Sequence, residues 1–414
     1  MRQISRDDTL AIGALGCLAY VLIGWSGLLG PSLIRSIEAD LAQTDTAIGV
    51  LYFLYGAAYA LGSLGGGYAT ERLGRRVVLS SAVALHAAGV LAFGVAGVWP
   101  AFLACALPAG LAAGGIDGGI NGLFLDLFRT RRGRALNTLH VFFGVGAFVA
   151  PLVIGQLVSA GVPWRMLYVA TGVGMLPVAV LFWLMRLPHG RLPQGVPKSH
   201  DGTVERRRLL LVWPLPALAL AIGTYVGAEI GVSNWLVRFL SEAPLVAATG
   251  SLSLFWAGLA LGRLVSARIA DRFDHVTFTT IWAVTSSVVL VGAVLVPWLP
   301  LSIIGFGVVG FAFGPIFPMI MAIGGERFPE RSAAVGGLLT TAAVAGGVIY
   351  PAVMGPLSDS VGLGVAMFGT ALLGFLCTGC LILARGADAR TSETRDGIAR
   401  PAKVEQPAVD VDRF

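Results

Sequence analysis

Apolar positions in this chain neither alternate nor follow one amphipathic stripe. They come in blocks of roughly 20 residues, the length of a helix that crosses a bilayer. Twelve blocks are long enough, centred near Leu18, Leu54, His86, Gly114, Gly146, Gly174, Val226, Gly258, Val288, Val309, Gly346 and Leu373. Lipid offers the backbone no hydrogen-bond partner, so a segment immersed in it must satisfy its own N–H and C=O groups as a helix. The pattern predicts an all-α membrane protein of twelve transmembrane helices. The first block, about Thr9 to Leu29, exceeds the 7–15 residues usual for a signal-peptide core, and predicts a retained first helix.

Composition agrees: 56% of the 414 residues are hydrophobic and 13% charged, against about 25% charged in soluble domains. The net charge of +6 would suit nucleic acid, but the positions of the basic residues do not. Only Arg35, Arg165 and Arg238 stand apart. The other Lys and Arg fall in the N-terminus, in the loops after the second, fourth, sixth, eighth and tenth blocks, or in the C-terminal tail. That asymmetry is the positive-inside rule and predicts both termini in the cytoplasm. All but Lys198 and Lys403 are arginine, a bias of GC-rich bacterial genomes, so the expected location is a bacterial inner membrane. Cys17, Cys105, Cys377 and Cys380 all lie in apolar blocks, where packing is their expected role. No P-loop, HExxH or doubled CxxC pattern occurs. The chain is therefore expected to be neither an ATP-driven pump nor an enzyme, and to need no cofactor or metal.

The two halves repeat at an offset of 200 residues. Gly114 matches Gly314, Phe128 matches Phe328, Arg131 matches Arg331, Gly146 matches Gly346, Pro151 matches Pro351 and Gly155 matches Gly355. Glu71-Arg72 matches Asp271-Arg272. The expected organisation is two pseudo-symmetric six-helix bundles, 1–186 and 211–384. A polar cytoplasmic linker at 187–210 joins them, and a disordered tail follows at 385–414.

The loop Gly67-Tyr68-Ala69-Thr70-Glu71-Arg72-Leu73-Gly74-Arg75-Arg76 resembles the loop signature of the major facilitator superfamily, with Glu for its Asp. The copy from Ala267 to Asp274 keeps Asp271-Arg272 and loses both glycines. A narrower resemblance runs through Asp117-Gly-Gly-Ile-Asn121, Leu136 to Ala147, Tyr225 to Val232 and Phe313 to Pro318. These blocks look like the fucose–glucose–galactose proton symporter branch. That branch also carries an acid on its first helix, whereas Ala11 to Leu29 has no ionisable residue near its middle. The resemblance implies a monomeric secondary transporter with one central site between the bundles. It implies a small solute, a sugar or polyol, accompanied by a proton or by sodium.

The residues themselves point to candidate chemistry. Asp117 lies inside an apolar block, where a carboxylate costs about 2.5–3.5 kcal/mol and is functional by default. Burial disfavours its charged form, so it is the candidate proton site. Asn121, one turn on, shares its face and could hold the carboxyl or a substrate hydroxyl. The rival reading is a polar bond that glues two helices, which contributes ~0.6 kcal/mol on average. Glu229, between Gly227 and Gly231, is the second candidate proton site. Tyr225 shares its face, with Asn234 and Trp235 beyond; acceptors beside an aromatic plate suit a sugar. Asn137, His140 and Phe317 complete the expected substrate set, although a lone His is often a packing residue. Gly67, Glu71, Arg72, Gly74, Arg75 and Arg76 are read as a gate. Asp126 with Arg131, Asp271 with Arg272, and Glu326 with Arg331 are expected to join it and to bridge the halves when the cytoplasmic side is closed. A proton-coupled exporter of drugs or hydrophobic metabolites would use the same fold and stays open as an alternative.

Overall fold

The computed structural model describes residues 6–128, 132–188 and 212–398. Twelve helical segments in it are long and apolar enough to cross a membrane. In the first half these are span 1 (Asp8–Leu41), span 2 (Asp45–Leu73), span 3 (Arg75–Val95), span 4 (Trp99–Leu127), span 5 (Gly133–Ser159) and span 6 (Trp164–Leu184). In the second half they are span 7 (Leu215–Phe239), span 8 (Leu245–Arg272), span 9 (His275–Leu295), span 10 (Leu299–Arg327), span 11 (Ala334–Val361) and span 12 (Leu363–Arg385).

Two spans are broken. Span 1 is two helices, Arg6–Gly27 and Leu29–Leu41, that meet at Leu28. It therefore reaches well past the expected end at Leu29. Span 10 is also two helices, Leu299–Phe313 and Ile316–Arg327, interrupted at Gly314-Pro315. Pro315 has no N–H to give the ladder, and its ring crowds the preceding turn. The last helix runs on to Ile398, so the first part of the segment expected to be a disordered tail is helical. The remainder of that tail, and all of the expected linker after Pro188, lie outside the described residues.

Packing repeats across the halves. Span 1 packs on span 5, span 2 on span 4, and span 3 on spans 4 and 6. Adding six to each number gives the second half: 7 on 11, 8 on 10, and 9 on 10 and 12. Backbone approach repeats at the same offset. A Cβ at Gly62 would strike the carbonyl of Leu111, and one at Gly262 the carbonyl of Phe311. The 200-residue period is thus a period of three-dimensional contact, and small residues are what let these helices touch.

The halves meet through span 2 on span 11 and span 5 on span 8. We call the end that carries the loops after spans 2, 4, 6, 8 and 10 the basic face, and the opposite end the far face. The close approaches between halves lie toward the far face: Gly49 against Ala352 and Gly355, Gly56 against Val348, and Gly155 against Thr249. Toward the basic face, no heavy atom among the described residues lies within 4 Å of where a Cβ would stand at Gly67 of span 2 or Gly337 of span 11. The bundles lean together at one end and part at the other.

Candidate functional site

In the first half, Asp117 is the centre of a donor cluster. The Tyr20 hydroxyl, from span 1, donates to its Oδ1 at 2.6 Å, and Asn121 Nδ2 donates to the same oxygen at 3.1 Å. The Tyr59 hydroxyl of span 2 lies near the same carboxylate. His140 of span 5 stands edge-on to the Tyr20 ring, with centroids 5.8 Å apart, and lies in the electrostatic field of both Asp117 and Arg263. Asn137 is exposed on the same helix. Tyr20 and Tyr59 were not foreseen. Single tyrosines in apolar blocks read as packing, and only the fold aims their hydroxyls at one acid. Tyr20 occupies the middle of span 1, where no acid stands.

In the second half, Glu229 is buried on span 7. The Tyr225 hydroxyl bonds its Oε2 and also reaches the carbonyl of Phe313 at 2.9 Å. That carbonyl ends the first helix of span 10, where the Gly314-Pro315 break removes the usual partners of a helix C-terminus. Arg263 Nη2 lies 3.9 Å from Glu229 Oε1, too far for a hydrogen bond. The sequence reading grouped Arg263 with the basic loop that follows span 8. The structure corrects this, because Arg263 lies well inside that span and faces the interface between halves. Its closeness to Arg268 and Arg272 in sequence hid it.

Between the halves lies a cavity of about 350 Å³. Its first-half wall includes Ser26, Tyr52, Tyr55, Tyr59, His86 and Tyr168, and its second-half wall Val226, Ile230, Asn234 and Val348. His86, read from sequence as packing, is buried on this wall. Its Nδ1 is 2.9 Å from the Ala109 carbonyl and its Nε2 2.9 Å from the Ser26 hydroxyl. A carbonyl only accepts, so Nδ1 carries hydrogen and, in the neutral ring, Ser26 donates to Nε2. Asn234 lines the cavity, and its backbone carbonyl accepts from Tyr52 at 3.1 Å. Trp235 does not line it. This tryptophan is fully buried, donates to the Pro351 carbonyl at 2.9 Å and packs edge-on to Tyr52. It is a wedge between spans 7 and 11 with no face left for a solute. Phe317, 200 residues on from Asp117, is half-buried on span 10, away from this cavity.

The expected gate takes a different form. Asp126 pairs with Arg75, and Glu326 pairs with His275 at 2.8 Å; Arg131 lies outside the described residues. Arg331 is exposed, and so are Glu71, Arg72, Arg76, Asp271 and Arg272. Arg72 lies over the Tyr68 ring of its own helix and Arg76 over Trp183. Gly67 and Gly74 meet no neighbour. The pairs Arg75–Asp126 and His275–Glu326 each stay within one half, as suits an open face.

The ionic seal is at the far face. Arg238 Nε of span 7 is 2.7 Å from Glu38 and 3.0 Å from Asp45. The Ser358 hydroxyl donates to Asp45, and the Thr46 N–H donates to Asp359 at 2.8 Å. Arg35 donates to the carbonyls of Val237 and Ala243 at 2.8 and 2.9 Å, and to Leu240. Arg165 pairs with Asp40 at 2.8 Å. The three arginines set apart by sequence thus all work at this end.

The sequence profile of the Major Facilitator Superfamily matches residues 14–351, and the chain belongs to that family. It is a multi-pass membrane transporter and not an enzyme. It is 25% identical over 383 residues to the cis,cis-muconate transport protein of Acinetobacter baylyi, covering 87% of this chain and 90% of that one. It is 25% identical over 253 residues to a glucose/galactose transporter of Brucella abortus, covering 56% and 58%. Its fold resembles a bacterial homologue of the human lysosomal transporter Spinster in an inward-facing, unoccupied conformation. The TM-score is 0.76 at 17% identity, covering 92% of this chain and 98% of that one.

Proposed function

We propose that the protein is a proton-coupled secondary transporter that moves a small polar organic solute by alternating access. The observation that carries this reading is the Asp117 carboxyl, held inside the membrane by hydroxyls and an amide. Donors of this kind serve the carboxylate, and the Tyr20 oxygen can equally accept from the protonated acid, so both protonation states are housed. The cavity lies between two homologous halves, as alternating access requires. The hydroxyl-bearing wall of Tyr52, Tyr55, Tyr59 and Ser26 suits a solute with several hydrogen-bonding groups, such as a sugar or polyol. The matched relatives carry both an acid and sugars. By the positive-inside rule the basic face is cytoplasmic, so the proposed site opens to the cytoplasm, and the bacterial relatives support a bacterial inner membrane. One proton crossing 100 mV supplies about 2.3 kcal/mol, which drives uptake roughly 50-fold uphill.

The test is solute-driven proton movement in proteoliposomes that enclose a pH dye, with cis,cis-muconate and galactose as probes. Wild type should couple solute to proton, and Asp117→Asn should lose the coupling while still catalysing exchange. Full pH-gradient-driven uptake by the variant would overturn the assignment of Asp117. The apolar part of the cavity wall, Ile23, Leu51, Val90, Val226, Ile230 and Val348, favours a second reading, proton-driven export of an amphipathic compound. Proton-driven accumulation of such a compound in inverted vesicles would select it.

A further inference from the structure

We propose that Arg263 binds the carboxylate of an anionic substrate, so that the solute is a small organic acid with an apolar body rather than a neutral sugar. This rests on the transporter reading above and deepens it. Arg263 is inside span 8, with its side chain 36% exposed to the opening between the halves. Its Nε is buried and bonds nothing among the described residues, and its Nη2 stands off Glu229 at 3.9 Å. A buried guanidinium N–H with no acceptor is costly, and a carboxylate presents two acceptors in geometry that matches Nε and Nη2.

The neighbouring hydrogen bonds say when Arg263 is free. Tyr225 has one hydroxyl hydrogen and two acceptors in reach, Glu229 Oε2 and the Phe313 carbonyl. Both contacts are full two-centre bonds at once when Glu229 carries a proton and donates to the Tyr225 oxygen, while Tyr225 donates to Phe313. In that state Glu229 is neutral and Arg263 has no charged partner within 4 Å among the described residues. When Glu229 ionises it competes with the substrate for the same guanidinium. Proton uptake at Glu229 and anion binding at Arg263 therefore favour each other, beside the proton carried at Asp117. The groups that face Glu229 are few. Span 8 brings Arg263, span 10 the Phe313 carbonyl, and span 11 Tyr350, whose hydroxyl bonds the Ala366 carbonyl. Span 12 brings Thr370, which bonds the Met367 carbonyl. The second helix of span 1 brings Arg35 and Glu38 only at the far end of span 7. Across the opening stand His140 and Asp117.

The apolar body has a place. Val226 and Ile230 of the cavity wall flank Glu229 on span 7. Phe143, also on that wall, stacks edge-on with Trp256 of span 8 at 5.8 Å, on the same helix as Arg263. At about 350 Å³, the cavity is at the small end of ligand sites.

The experiment uses the full chain in detergent and a matched panel: cis,cis-muconate, its uncharged dimethyl ester, benzoate, benzamide and galactose. Binding is read by calorimetry from pH 5.5 to 8. Wild type should bind one of the acids and at least tenfold less of its neutral partner, and should bind the acid more tightly at low pH. Arg263→Gln should lose at least tenfold, and Arg263→Lys should keep part of the affinity and of the fold, as judged by unliganded thermal unfolding. Glu229→Gln should bind the acid with a shallower pH dependence than wild type, a change that a purely structural role would not produce. Failure of every acid to bind wild type, equal binding of acid and ester, or unchanged affinity in Arg263→Gln would each overturn the proposal. Galactose-driven proton movement that survives Arg263→Gln would overturn it too, and would leave the transporter reading standing.

Discussion

The two halves share a scaffold but hold their buried acids differently. Asp117 rests among uncharged donors, Tyr20 and Asn121, and among the described residues it has no ion-pair partner. Glu229 has a tyrosine on one oxygen and an arginine standing off the other. At the 200-related positions, Asp117 faces Phe317 in the alignment of halves, and Arg263 faces Ser63. The backbone contacts repeat and the polar chemistry does not. Close helix packing constrains both copies alike, because a Cβ against a carbonyl is penalised in either. Side chains that face the opening are free of that constraint, so one half holds its acid among uncharged donors and the other sets its acid beside an arginine.

The largest effect should come from the shared scaffold. Gly62→Ala and Gly262→Ala each drive a methyl into a backbone carbonyl, and each should cost about 3 kcal/mol. Thermal unfolding in detergent measures this, and an effect confined to one half would break the equivalence. Next come the acids. Asp117→Ala and Glu229→Ala should each cost about 1–3 kcal/mol, with the Glu229 variant the worse of the two. It removes both the Tyr225–Glu229 bond and the carboxylate that stands 3.9 Å from Arg263, whereas Asp117 leaves no ion-pair partner behind among the described residues. Equal losses would erase the contrast.

A smaller shift, about 1 kcal/mol per broken interaction, is expected from Arg238→Ala, which removes both contacts of this arginine at the far face. Spin-label distances between span 1 near Asp40 and span 7 near Arg238 should lengthen in part of the population. The smallest effect concerns the caps of spans 3 and 9. Gly74 has φ +82° and no side chain to cap with. Its counterpart Asp274 accepts from the Thr277 N–H at 2.9 Å and from the Thr277 hydroxyl. Those bonds to Thr277 hold the Asp274 carboxyl below its ordinary range. Its contribution is therefore present above the unfolded carboxylate pKa and lost as pH falls through the lowered folded one. Asp274→Ala should cost up to about 1 kcal/mol at neutral pH, and the gap to wild type should close in strong acid.

Sequence revealed what depends on long averages. Apolar blocks locate all twelve spans because each is a sum over about 20 residues, and the repeat emerged because close packing keeps glycines in step. Asp117 and Glu229 stood out because a carboxylate in an apolar block is conspicuous alone. Single residues whose meaning depends on partners far along the chain stayed hidden. Tyr20 meets Asp117 across 97 residues, and Arg238 meets Asp45 across 193. Arg263 was disguised by the arginines that follow it. Trp235 erred the other way: an aromatic beside polar residues suggests a binding plate, yet the rotation of span 7 turns it onto Pro351. The basic-face gate was read from a loop signature whose contacts belong to the closed state of that face, and here it is the far face that is shut.

Arg35 takes three carbonyls at the end of span 7 with one side chain, and Arg238 beside it is shared by two acids. Undoing this lock means wetting all these groups together, so the medium at the far face has a hand on how firmly that end stays shut. Brine loosens the acid–arginine contacts by screening but leaves the arginine–carbonyl clasp nearly untouched. Salt at the far face thus becomes a partial throttle, able to loosen that end only until Arg35 is what holds it shut.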